Sequence, residues 1–133
     1  MHERILFLCP HGAAKSVLAA AYCQQRAAAQ GIQLHVTSAG TEPDLEVAPA
    51  VVELLRAEGI DVTDQRPRRV THEDLITANY IISLGCDLDD QVGAGNAIER
   101  WDDVPAPSQN LQAARDRIRA YVEQLILSLT CRC

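Results

Sequence analysis

The segment from Ile5 to Ser16 constrains the fold most, because it has the pattern of a buried strand, a tight loop and the start of a helix. Its apolar run ends in Cys9, small residues follow, and Lys15 opens a helical pattern. In such a turn the backbone N–H groups point inward, and the helix dipole adds partial positive charge. The segment therefore predicts an anion cradle beside a cysteine that is a thiolate near neutral pH.

Composition limits the classes of protein to which this chain can belong. Its 133 residues predict a single domain, spanning residues 1–133, with one core. A net charge of −6 argues against binding to nucleic acid or a membrane surface, so any anion site must be local. The apolar runs are too short for a membrane span, and the one after Arg4 is too short for a secretory signal. We therefore expect a cytoplasmic protein.

The cysteines indicate reactive thiols rather than a structural framework. Their number is odd, and no pair has the C-x-x-C spacing of a zinc site, so we expect neither a bound metal nor a bound cofactor. In a chain that is not secreted, redox chemistry is more plausible than static disulfides. The five are Cys9, Cys23, Cys86, Cys131 and Cys133.

Strand and helix patterns alternate along the chain. The predicted strands are Arg4–Cys9, Ile32–Thr37, Tyr80–Leu84 and Ala97–Trp101. Helical patterns run from Lys15 to Gln30, from Pro49 to Gly59, after a capping signal at Thr71 and Asp74, and from about Gln109. This alternation predicts an α/β fold, a doubly wound four-stranded parallel sheet with helices on both faces. Ligands bind beyond the carboxyl ends of such strands, where Cys9, Ser38, Cys86 and the Trp101–Pro107 loop would meet.

The spacing Cys9-x5-Lys15-Ser16 after a strand resembles the C-x5-R-[ST] loop of the low-molecular-weight protein tyrosine phosphatases. It is closer to the C-x-H-N-x-x-R-S loop of the related arsenate reductases. The resemblance continues over essentially the whole chain, through Ser38-Ala39-Gly40-Thr41, Glu58-Gly59-Ile60-Asp61, Ile81–Cys86 and Trp101–Pro107.

The resemblance implies that Cys9 attacks phosphorus or arsenic and that Ser16 hydrogen-bonds its thiolate. An activated thiolate is the nucleophile, and aligned donors stabilise the charged transition state. The implied oxyanion-binding residues are Pro10, His11, Gly12, Ala13, Ala14, Lys15 and Ser16. His11 could donate to the oxyanion or face solvent.

Three residues depart from the family pattern. Lys15 replaces an arginine and cannot make a planar bidentate clamp. Gly12 replaces an asparagine whose amide would have held the loop, through Ser38, so a more mobile loop is expected. Ala106 replaces the aspartate that acts as general acid, which predicts poor phosphatase turnover unless Asp103 or its neighbour Asp102 substitutes.

Cys86 is the candidate resolving thiol. In the arsenate reductases a cysteine at this position attacks the adduct on the nucleophile, releases arsenite and forms a disulfide. The second resolving cysteine of the thioredoxin-coupled type would fall among Asp87–Asp90 and is missing. Cys131, Cys133 or a small thiol could serve, so the predicted partner is an external reductant of the glutathione or thioredoxin type. The alternatives are a buried hydrophobic role for Cys86 and a frayed tail for the other two.

Several other features have structural interpretations. Cys23 is expected in the core, Trp101 as a packing anchor, and the arginines at 66, 68 and 69 as a solvated run rather than a steering patch. The segment also has the spacing of a Walker A loop, but both of its glycines are missing. A buried structural role for Cys9 is the remaining alternative.

The leading hypothesis is a thiol-dependent arsenate reductase that binds arsenate or phosphate. Its catalytic residues would be Cys9, Lys15, Ser16, Cys86 and Asp103. The alternatives are a catalytically impaired oxyanion-binding or regulatory module and a weak phosphatase.

Overall fold

The computed structural model describes residues 3–85 and 98–130. Four strands and four helices follow one another along the chain. They are β1 (Glu3–Cys9), α1 (Lys15–Ala29), β2 (Leu34–Gly40), α2 (Pro49–Ala57), α3 (His72–Thr77), β3 (Tyr80–Ser83), β4 (Ile98–Arg100) and α4 (Leu111–Thr130). No helix in these ranges is long and apolar enough to cross a membrane.

The four strands form one parallel sheet in the order β2-β1-β3-β4. The central strand β1 aligns Cys9 with Gly40 of β2 and Leu8 with Ser83 of β3. Because all strands run the same way, their carboxyl ends share one edge of the sheet. The predicted four-stranded parallel α/β architecture is confirmed.

From Ile5 to Cys9 the strand β1 is apolar and buried because helices cover both of its faces. Ile5, Phe7 and Cys9 belong to the larger core cluster, which α1, α2 and α4 complete. Leu6 and Leu8 point the other way, into a smaller cluster with residues of α3 and the segments around it.

The start of β2 differs from its prediction because helix α1 uses the preceding residues to end. Gly31 has φ +71°, and its N–H donates to Ala28. The N–H of Ile32 donates to the Ala27 carbonyl at 2.8 Å, which completes a Schellman motif. Ile32 therefore belongs to the helix cap, and β2 begins at Leu34 rather than Ile32 and extends to Gly40.

The predicted helix starts are largely confirmed. Pro49 lies in the first turn of α2, and Thr71 forms a capping box with Asp74 at the start of α3. Helix α4 begins at Leu111, two residues after the predicted Gln109. The delay has a local cause, since the N–H groups of Gln109 and Asn110 both donate to the Ala106 carbonyl in a turn that precedes the helix.

Candidate active site

The turn between β1 and α1 brings Cys9 and Ser16 together. Cys9 ends β1 and is 4% exposed, and Ser16 in the first turn of α1 is fully buried. Cys9 Sγ and Ser16 Oγ share a hydrogen bond at 3.1 Å. When the cysteine is ionised, the serine hydroxyl can donate to the thiolate, as the resemblance implies.

The backbone of the loop is oriented by the segment 42–48. Three loop carbonyls accept hydrogen bonds from N–H groups of that segment at 2.7–2.9 Å, and the pairs are Pro10 with Glu42, His11 with Asp44, and Ala13 with Ala48. In the described ranges no residue accepts from the N–H groups of residues 11–16. These donors, with the positive end of α1, are therefore available to an anion.

Close packing of Gly12 on Gly40 holds the loop against β2. Gly12 has φ +61°, a conformation that suits glycine. A Cβ added to Gly12 would lie 3.0 Å from the Gly40 nitrogen, and one added to Gly40 would lie 2.7 Å from the Gly12 nitrogen. Ser38, which was expected beside the cradle, lines a separate groove between β2 and α1, so backbone contact takes the place of the side-chain tie.

Lys15 is half-buried at the first position of α1. Its Nζ would lie 3.9 Å from a Cβ built on Gly85, which places the ammonium group near the end of β3. Between residues 3 and 85, and from 98 to 130, no carboxylate forms an ion pair with it. Its charge can therefore attract an oxyanion, although as a point charge rather than a bidentate clamp.

A cavity of about 480 Å³ opens beside the cradle. The described residues that line it come from the loop, the start of α2 and the turn before α4, and include Cys9, Lys15, Asp44, Ala106 and Pro107. Ala106 thus lines the same cavity as Cys9, at the position where the resemblance places the general acid. The volume exceeds that of a tetrahedral oxyanion, so the site has room for a second group.

The structure does not bring Asp103 into this cavity. Its carboxylate is held on α4 by hydrogen bonds from Arg117 and Tyr121. The hydrogen bond from Arg117 has the larger effect and the one from Tyr121 adds to it. Together they hold the pKa of Asp103 below its ordinary value, so the group stays ionised. Asp102 is not among the described lining residues either. The geometry therefore does not favour either aspartate as a replacement acid.

Trp101 fixes the loop that carries Ala106. It is 1% exposed and stacks on Tyr121 with ring centroids 4.6 Å apart. Phe7 packs on it from β1, at 5.6 Å. The predicted role of Trp101 as an anchor is confirmed.

One cavity residue was missed at the sequence level. Asp44 Oδ1 lies 3.4 Å from His11 Nδ1, with both side chains more than half exposed. No motif marks Asp44, since it lies in a loop and its approach to His11 arises from the backbone hydrogen bond between the same two residues. The pair brings two titratable side chains to the cavity wall.

The other cysteines divide into two groups. Cys23 is fully buried in the core, and burial raises the pKa of its thiol to about 12, which confirms the predicted structural role. Cys86, Cys131 and Cys133 lie outside the described residues. Within those residues, no three His, Cys, Asp or Glu side chains come together as a metal site.

The arginines after α2 make hydrogen bonds to carbonyl groups and to one carboxylate of neighbouring segments. Arg68 makes two hydrogen bonds to Asp74, at 2.8 and 3.1 Å, and Arg69 donates to the Thr41 carbonyl at 2.9 Å. Arg66 donates to two carbonyls of its own turn. The run is therefore engaged in structural contacts rather than merely solvated.

The sequence matches the family model described as low molecular weight phosphotyrosine protein phosphatase over residues 4–130. The chain belongs to this family. The resemblance expected from the Cys9 loop and the following motifs is thereby confirmed.

Individual relatives include arsenate reductases. A Halobacterium salinarum protein with a provisional arsenate reductase name is 23% identical over 125 residues, 92% of this chain and 87% of that protein. The thioredoxin-dependent arsenate reductase Cg_ArsC1' of Corynebacterium glutamicum has a TM-score of 0.85 at 26% identity, over 97% of this chain. The match spans only 62% of that longer chain. YfkJ from Bacillus subtilis has a TM-score of 0.87 at 26% identity, over 98% of this chain and 96% of its own.

Proposed function

We propose that this chain is a thiol-dependent arsenate reductase in which Cys9 is the nucleophile. The observation that carries the proposal is the Cys9–Ser16 hydrogen bond beneath a loop whose Pro10, His11 and Ala13 carbonyls are engaged by N–H groups of the segment 42–48. That arrangement places the Cys9 sulfur beside backbone N–H groups that have no acceptor in the described ranges, and near the Lys15 ammonium group. Such a site suits attack on a tetrahedral oxyanion.

The chemistry proceeds in two steps. The Cys9 thiolate forms an S–As bond, and one As–OH bond breaks as the hydroxyl oxygen takes a proton and leaves as water. A second thiolate then attacks Cys9 Sγ, so that an S–S bond forms and the S–As bonding pair passes to arsenic. Arsenic(V) is reduced to arsenite, and two thiols are oxidised to a disulfide.

The second thiol is either Cys86 or an external reductant of the glutathione or thioredoxin type. Gly85, which directly precedes Cys86 in the sequence, lies next to the Lys15 ammonium group, so the chain approaches the cradle at that point. The cavity is also larger than an oxyanion and has room for a small thiol. A reaction that depends on reduced thiols fits the cytoplasm.

Intact-mass thiol counting on the reduced protein, with and without arsenate, tests the proposal. We expect the loss of two hydrogens to require both arsenate and Cys9, and added glutathione to sustain arsenite release. Cys9→Ser removes the nucleophile, and Cys23→Ala is the matched control because Cys23 is a buried thiol outside the cavity. If Cys9→Ser leaves arsenite formation unchanged, the proposal is wrong.

A second candidate is an oxyanion-binding module with little catalysis. The lysine at the position of the family's arginine and the alanine at the position of its acid favour this candidate together. It predicts that calorimetry detects phosphate or arsenate binding while no thiol is oxidised. The absence of any binding would exclude it.

A further inference from the structure

The wall of the Cys9 cavity carries a histidine–carboxylate pair that the proposed reaction has not yet used. His11 Nδ1 lies 3.4 Å from Asp44 Oδ1, and both residues line the cavity. In the described part of the chain, no hydrogen bond engages His11 Nε2. The carboxylate favours the ring form that carries hydrogen on Nδ1, so Nε2 is the atom that can exchange a proton with a ligand.

The attack on an oxyanion needs a proton donor, because the departing oxygen leaves best as a neutral molecule. The described titratable groups of the cavity are Cys9, His11, Lys15 and Asp44. Cys9 supplies the nucleophile, and Lys15 supplies the positive charge that attracts the oxyanion. Ala106 cannot donate, and Asp103 is engaged by Arg117.

We propose that His11 is the general acid of this site and that Asp44 is its positioning residue. As the Cys9 thiolate forms its bond to arsenic, the imidazolium gives its Nε2 proton to the hydroxyl oxygen whose bond to arsenic breaks. Water leaves, and His11 remains as the neutral ring. Arsenic stays at the +5 oxidation state in this step, and the second thiol takes part only afterwards. The inference rests on the proposed function.

The side chains of His11 and Asp44 can be substituted without removing the backbone hydrogen bond that joins the two residues. The N–H of Asp44 donates to the His11 carbonyl at 2.9 Å, a bond that side-chain substitution leaves in place. Both side chains are more than half exposed, so their removal opens no core cavity. His11→Gln and Asp44→Asn should therefore keep the loop conformation while removing the proton donor or the carboxylate.

The test measures arsenite formation from pH 5.5 to 8.5 with glutathione, thioredoxin and thioredoxin reductase present. We expect His11→Gln to lower the rate about 100-fold and to abolish its decline on the alkaline side. Asp44→Asn should lower the rate about tenfold and keep that decline. Calorimetry with inorganic phosphate should give affinities within about threefold of the wild type for both, because both variants keep the backbone N–H groups of the cradle and Lys15. His72→Gln, at an exposed histidine on α3, is the matched control.

A carboxyl group introduced elsewhere in the cavity distinguishes the loss of a proton donor from a structural effect of the His11 substitution. We expect Ala106→Asp to recover at least tenfold of the rate lost in His11→Gln, because it places a carboxyl group at another position that lines the same cavity. A wild-type rate in His11→Gln at every pH would overturn the assignment while leaving the reductase intact. A lost rate that tracks lost phosphate affinity and is not rescued would also overturn it. The absence of any Cys9-dependent turnover in the wild type would instead overturn both proposals.

Discussion

Gly12 and Gly40 pack backbone against backbone, so closely that a Cβ on Gly40 would lie 2.7 Å from the Gly12 nitrogen. The contact joins the cradle loop to the end of β2, although Gly12 lacks the asparagine side chain whose loss predicted a more mobile loop. Both glycines are required because the two backbone segments approach more closely than a side chain would permit. The position of the cradle therefore depends on β2 as well as on its own loop.

Gly40→Ala should displace the cradle loop. We expect an overpacking cost of about 1–3 kcal/mol in the free energy of unfolding and at least a tenfold loss of phosphate affinity. The control is Gly31→Ala, where φ is +71° but a Cβ would meet nothing within 4 Å. That change should cost about 1–2 kcal/mol through backbone strain without affecting phosphate binding. Chemical denaturation and calorimetry measure the two quantities, and equal phosphate affinities would contradict the prediction.

Ser16→Ala should weaken the nucleophile without disturbing the core. The hydroxyl is fully buried, and its bond to Cys9 Sγ is the only one that it makes in the described ranges. Removing a donor to a charged group should slow alkylation of Cys9 at pH 7 about tenfold. Peptide mapping after iodoacetamide treatment measures the rate, with buried Cys23 as the internal unreactive thiol. An unchanged rate would show that the serine does not stabilise the thiolate.

Lys15→Arg combined with Ala106→Asp should convert the site towards phosphatase activity. The arginine adds a bidentate clamp, and the aspartate supplies a general acid, an effect typically worth about 10²–10⁴-fold. We expect the double variant to hydrolyse p-nitrophenyl phosphate at least 100-fold faster than the wild type. The same double variant with Cys9→Ser is the control. No gain would mean that the loop geometry itself does not support phosphoryl transfer.

Asp103→Asn should leave catalysis nearly intact. The carboxylate binds Arg117 and Tyr121 on α4 and is not among the described residues of the cavity lining. We expect arsenite formation within about threefold of the wild type, compared with the loss of about 100-fold that removing a general acid causes. A loss on that larger scale would restore Asp103 as the acid and remove the case for His11.

Asp74→Asn should reveal a pH-dependent contribution to stability. Burial acts to raise the pKa of Asp74, but hydrogen bonds from Arg68 and Thr71 outweigh it and hold the pKa below its ordinary value. A group whose pKa is lowered in the native state stabilises the fold at pH values above its ordinary pKa. That stabilisation is lost as the pH falls through the lowered pKa. Unfolding should therefore show a deficit of about 1 kcal/mol in the variant at pH 5–7 that shrinks below pH 4. A deficit that is independent of pH would contradict this origin.

The sequence determined the elements of this protein and the identity of its cradle. The apolar run of β1, the glycines that end α1 and α2, and the capping pair at α3 act locally, through periodicity and backbone conformation. Local signals of this kind are present in the order of the residues, so the parallel fold and the Cys9–Ser16 loop could be predicted. The start of β2 was misplaced because Ile32 is apolar enough for a strand, while its N–H completes the helix cap.

The tertiary structure decided which distant side chains join the cradle. Asp103 and Asp44 are both acidic loop residues, and the sequence favours Asp103, which lies in the Trp101–Pro107 motif, over Asp44, which no motif marks. Asp103 is drawn to α4 by Arg117 and Tyr121, whereas the backbone bond to His11 draws Asp44 to the cavity. These contacts join residues far apart in the chain, or in a loop without periodicity, so only the packing of the elements could select between them.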